Sequence, residues 1–196
     1  MYSPDRLVIL DADGPTIDAF SAIETTFTRH GMDLGDLERF QKRRNLFKYL
    51  GGLKEFPKNI KKQLGKRKRK ELIATLTEVY REEGRLYPGV VRWVQQLAAA
   101  PGVRVGVITR NITVEPEETL RQLFQRHDIS IGEYLDFLTH LPLKDSKNEA
   151  FRKTRDRYRI NPALGYACGD EAKDFVAAID SGIHPFIVSY GFEDYD

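Results

Sequence analysis

The chain has a single cysteine, Cys168, among its 196 residues. It cannot close an internal disulfide, so the cysteine framework of a small secreted domain is excluded and a reducing compartment is expected. Its four histidines show no metal-ligand spacing. No stretch approaches the roughly 18 consecutive apolar residues that a membrane span needs. The opening "MYSPDRLVIL" lacks a basic region followed by a long apolar run, so no signal peptide is expected and the protein is read as cytoplasmic. Internal repeats are missing, and the only biased tract is the Lys/Arg run at 66–70. The chain is nonetheless rich enough in apolar residues to fold, with 41% hydrophobic and 31% charged. Its length allows one good core with a small inserted subdomain.

A near-neutral total, +2, conceals a strong asymmetry. Residues 42–70 hold 13 Lys and Arg against one acid, Glu55, while the remainder holds 18 basic and 28 acidic residues. Two regions with different tasks are implied.

Short apolar runs alternate with amphipathic segments. "RLVIL", "VRVGVIT", "YLDFL", "LGYACGD" and "HPFIVSYG" read as buried strands. Between them, "IDAFSAIETTFTRHG", "YPGVVRWVQQLAAAPG", "VEPEETLRQLFQRH", "DSKNEAFRKTRDRYRI" and "EAKDFVAAIDSG" read as helices, Ser146 being a candidate N-cap and Gly31 and Gly182 stops. Trp93 and Cys168 read as packing residues. The alternation predicts an α/β fold with a doubly wound, Rossmann-like parallel sheet covered on both faces. Residues 17–86 carry no strand signal. They are expected to form a helical cap inserted into a core made of residues 1–16 and 87–196.

Ligands of such a sheet bind outside the carboxyl ends of its strands. Asp11 and Asp13 follow the first expected strand, Thr109 ends the second, Lys144 and Lys147 follow the third, and Asp170 follows the fourth. Carboxylates two positions apart repel unless a cation or a reacting group lies between them. Three carboxylates, a hydroxyl and an ammonium in one crevice suit a hard cation and a phosphate, and Mg²⁺ is the expected ion. Taken singly each motif has a plainer explanation: a helix cap, a turn hydroxyl, an acidic first turn matched to the helix dipole.

Together and in this order, "DADG", "VITRN", a lysine opening a helix and "GDEAKD" resemble the haloacid dehalogenase-like (HAD) hydrolase superfamily. The resemblance spans the chain, including a helical insert placed as in phosphoglycolate phosphatase and its relatives. It implies Asp11 as nucleophile, Asp13 as general acid/base, Thr109 as the hydroxyl on the transferring phosphoryl group, and Lys147, with Lys144 as the alternative, as the charge-neutralising lysine. It also implies Mg²⁺ held by Asp11, Asp170 and the backbone carbonyl of Asp13, with Asp174 and Glu171 in support. Gly14, Arg110 and Asn111 are candidate substrate contacts. An acid at position 13 points to phosphate chemistry rather than carbon–halogen cleavage. Pro15 departs from the Thr or Val usual in the family and is expected to cost the loop an N–H.

The implied activity is Mg²⁺-dependent hydrolysis of a small phosphomonoester through an aspartyl-phosphate. The alternatives are a phosphomutase or phosphonatase on the same scaffold, or a non-catalytic relative whose basic cap holds a polyanion. The basic run itself reads first as a solvated helix face, then as an attractor of anionic substrate, and least as a nucleic-acid contact. No membrane partner is expected, and the sequence leaves the oligomeric state open.

Overall fold

The computed structural model describes residues 1–31 and 66–191. Most of the basic segment, residues 42–65, lies outside them, so the cap's fold and the role of its charge belong to expectation alone. The described elements are β1 (Arg6–Leu10), α1 (Ala19–Arg29), α2 (Lys66–Glu82), α3 (Val90–Ala99), β2 (Val103–Thr109), α4 (Pro116–Arg126), β3 (Phe137–His140), α5 (Lys147–Arg157), β4 (Gly165–Gly169), α6 (Ala172–Asp180) and β5 (His184–Ile187).

The five strands form one sheet in the order β3-β2-β1-β4-β5, and every pairing is parallel. From β1 the chain winds outward through β2 and β3, then returns to β4 on the other side of β1. The order therefore reverses between β1 and β4, which opens a crevice at their carboxyl ends.

Strand side chains alternate between the two faces. On one face Leu10, Val105 and Val107 pack with α1 to α4; on the other, Leu7, Ile9 and Ile108 pack with Phe151 of α5 and Ala177 and Ala178 of α6. The first of these layers includes Phe27 of α1 and Leu72, Leu76, Val79 and Tyr80 of α2, all buried. The two helices that bracket the undescribed segment are thus part of the same core as the sheet.

β3 begins three residues later than "YLDFL" suggests. Asp136 lies outside the ladder, its Oδ2 accepting the N–H of Val105 at 2.9 Å and its Oδ1 accepting from Arg104. Trp93 also differs from expectation. It is 37% exposed and lines a cavity of about 630 Å³ with Tyr166, Cys168, Phe186 and Tyr190. Helical spacing placed it on α3, but α3 covers β2 and leaves β4 and β5 open on that side.

Candidate active site

The crevice is built by strand ends. Asp11 directly follows β1, and its N–H donates to the Cys168 carbonyl of β4 at 2.8 Å, so the backbone leaves the sheet while still paired. The chain then turns sharply. Gly14 adopts φ +101°, and a Cβ there would lie 2.2 Å from Asp170 Oδ2, so only glycine lets the loop close against that carboxylate. The turn closes through the N–H groups of Gly14, Thr16 and Ile17, and through Thr16 Oγ1, which donates to the Ala12 carbonyl at 2.6 Å. None of these bonds needs an N–H at position 15. The donor that Pro15 lacks is therefore not one these turn bonds use, and its carbonyl accepts the Tyr190 hydroxyl at 2.9 Å.

Lys147 opens α5 and is 6% exposed. Its ammonium donates to Asp11 Oδ2 at 2.5 Å and to Asp174 Oδ1 at 2.5 Å. The other oxygen of Asp174 accepts the backbone N–H groups of Asp170 and Glu171, at 3.3 and 3.2 Å. Asp174 and Glu171 together form the capping box of α6. One carboxylate thus ties the lysine of α5 to the loop that carries Asp170. Lys144 is exposed and takes no part in this network.

Oxygens of Asp11, Asp170 and Asp174 lie within 4.8 Å of one another, and Asp170 is fully buried. Such a set of hard oxygen donors fits a divalent cation of the Mg²⁺ kind. Asp174 also serves Lys147 and two backbone donors, and Asp11 serves Lys147 and the N–H of Ala12.

Thr109 ends β2, is 1% exposed, and its Oγ1 has no hydrogen-bond partner among the described residues. A buried hydroxyl left open at a strand end is unusual enough to call for a ligand. The neighbouring Arg110 donates to the Asp145 carbonyl at 2.6 Å.

The family model for haloacid dehalogenase-like hydrolases matches residues 6–182. The chain belongs to that family. No curated protein matches the sequence. Among solved structures it is similar to CbbY from Rhodobacter sphaeroides, solved in complex with phosphate, with 17% identity, a TM-score of 0.65, and 98% of this chain and 89% of that one covered. It is similar also to a haloacid dehalogenase-like hydrolase from Streptococcus pneumoniae, with 16% identity, TM-score 0.64 and coverage of 97% and 87%. A predicted phosphatase from Clostridium acetobutylicum gives 15% identity, TM-score 0.62 and coverage of 98% and 88%. At these identities the likeness is one of fold.

In this HAD hydrolase the second aspartate is held differently from the first. Asp13 is 7% exposed; its Oδ1 accepts the Tyr80 hydroxyl at 2.7 Å, and the Asn111 amide donates to Oδ1 at 3.2 Å and to Oδ2 at 2.9 Å. Asn111 has no freedom to flip, because its own Oδ1 accepts both the N–H and the hydroxyl of Thr113. Its amide nitrogen is thus turned toward Asp13. Tyr80, on α2, escaped the sequence reading altogether.

Burial raises the pKa of both carboxyls. For Asp11 desolvation outweighs the Lys147 ammonium and lifts the value from 3.8 to about 7. For Asp13 desolvation outweighs the stabilising bonds from Tyr80 and Asn111, and the pKa again rises. Lys147 shifts upward under its two carboxylate partners, which overcome its burial, so it stays an ammonium. Burial, aided by the nearby carboxylates, pushes the Cys168 thiol up to about 12, which leaves it inert.

Proposed function

We propose that this protein is a Mg²⁺-dependent phosphatase that hydrolyses a small phosphomonoester through an aspartyl-phosphate on Asp11. The observation that carries this reading is the meeting of Asp11, Lys147, Asp174 and Asp170 in one crevice at the reversal point of the sheet.

Asp11 Oδ2 attacks phosphorus, a P–O bond forms, and the ester P–O bond breaks. Asp13, protonated at the start, gives its proton to the leaving oxygen. It then takes a proton from the water that attacks the aspartyl-phosphate, which releases inorganic phosphate and frees Asp11. A carboxyl whose pKa is raised by burial suits this double duty, since it keeps its proton to higher pH than a free carboxyl does. Lys147 keeps Asp11 in place and offsets charge on the phosphoryl oxygens, and the open Thr109 hydroxyl is available to one of them. Mg²⁺, held by Asp11, Asp170 and the Asp13 carbonyl, would neutralise the developing negative charge.

The residues of the helical segment would select the substrate, and the basic composition of residues 42–70 favours an ester with a further anionic group. The test is hydrolysis of p-nitrophenyl phosphate and a panel of phosphomonoesters, with and without Mg²⁺. Turnover that needs Mg²⁺ and disappears in Asp11→Asn is expected. Silence of the wild type across the whole panel would reject the reading.

A further inference from the structure

One face of α2 reaches the loops of the active site at three points. Thr77 Oγ1 accepts the N–H of Val114 at 2.9 Å. Arg81 reaches Thr119 Oγ1 at 3.1 Å and Glu115 at 3.2 Å. Between them Tyr80, fully buried, donates its hydroxyl to Asp13 Oδ1 at 2.7 Å. Residues three and four apart share a helix face, so these contacts form one seam. The seam carries the helix that returns the chain from the segment after residue 31 to the carboxyl charged with proton transfer.

We infer that Tyr80 is a positioning residue for that transfer: it fixes which oxygen of Asp13 carries the proton. This rests on the role given to Asp13 in the proposed function. The two oxygens are unequally occupied. Among the described residues, Oδ1 accepts from both Tyr80 and Asn111, whereas Oδ2 accepts from Asn111 alone. A carboxyl oxygen that already accepts two hydrogen bonds is a poor seat for a proton. The proton therefore belongs on Oδ2. Removing the phenol hydroxyl leaves Asn111 bridging both oxygens, which makes the two seats nearly alike and lets the carboxyl rock about that amide.

Tyr80→Phe removes one oxygen and keeps the ring in its packing. The experiment compares kcat/KM of wild type and variant on two aryl esters of similar shape, phenyl phosphate and p-nitrophenyl phosphate. This ratio covers the steps through departure of the leaving group and excludes the later hydrolysis of the enzyme-bound phosphate. Phenolate is a basic leaving group that needs the proton; p-nitrophenolate leaves readily without it. Because general acid catalysis contributes about a hundredfold or more, a misplaced acid should lower the phenyl phosphate value by about tenfold or more, with the p-nitrophenyl phosphate value kept within about threefold. Equal losses on both esters would show a structural role only and overturn the inference, as would no loss on either. Failure of the proposed function would read differently, since the wild type would then hydrolyse neither ester with Mg²⁺.

Discussion

A buried ammonium between a buried carboxylate, Asp174, and a partly buried one, Asp11, is the residue-scale feature on which the rest depends. The Lys147 side chain is 7% exposed and that of Asp174 is 4% exposed. Charges this deep are tolerated only because they neutralise and hydrogen-bond each other. Lys147→Met would keep the volume and leave two carboxylates, Asp11 and Asp174, facing each other uncompensated. A loss of about 3–5 kcal/mol is expected in chemical denaturation of the metal-free protein. Retention of full stability would mean that the network does not hold the site together. The residue scale is also where sequence reading went furthest. Asp11, Asp13, Thr109, Lys147 and Asp170 each follow or end a short apolar run, and a parallel sheet gathers such positions at one end. It could not find Tyr80, because nothing local links that position to a residue 67 places earlier. The contacts of Asn111 with Asp13 and Thr113 are likewise a matter of tertiary packing and leave no local sequence signal.

At the scale of elements, apolar patterning located β2, β1 and β4 in the middle of the sheet and missed the bounds of both edge strands, placing the start of β3 too early and carrying β5 past Ile187 to Gly191. β3 ends in Thr139 and His140, which are half-buried, so its true extent carries a weak apolar signal while Tyr134 and Leu135 before it carry a strong one. Helix α2 shows the opposite problem. Its basic start suggested a solvated cap helix, yet Leu72, Leu76, Val79 and Tyr80 are buried in the sheet's own core. Leu72→Ala should therefore destabilise the protein by about 2–5 kcal/mol, the range for deleting a buried leucine side chain. The measurement is urea denaturation, with loss of the whole fold in one transition. A loss well below that range would assign α2 to a separately folding cap.

For the molecule as a whole, the raised carboxyl pKa values become a stability statement. Asp11 and Asp13 hold their protons in the fold at pH values where an unfolded carboxyl, near 3.8, has already lost them. Their contribution is complete below the unfolded value and is lost as pH rises through the folded one. For Asp11 that window runs from 3.8 to about 7. Lys147 titrates far above it and does not interfere. The thermal midpoint of the metal-free protein should fall across this window. Added Mg²⁺ should reverse the fall by favouring the ionised carboxyls and by binding the folded state alone. The Mg²⁺ effect should vanish in Asp170→Ala. A midpoint that rises with pH, or a Mg²⁺ shift that survives in Asp170→Ala, would contradict the assignment of the cation site.

The central claim is that phosphate passes through a covalent bond to Asp11. The most direct measurement is acid quenching of the enzyme during turnover of a radiolabelled phosphomonoester with Mg²⁺, followed by a search for label on the protein. The account predicts label on the peptide holding Asp11, released by hydroxylamine as expected of an acyl phosphate, and none in Asp11→Asn. Label persisting in Asp11→Asn, or continued phosphate release by that variant, would contradict it.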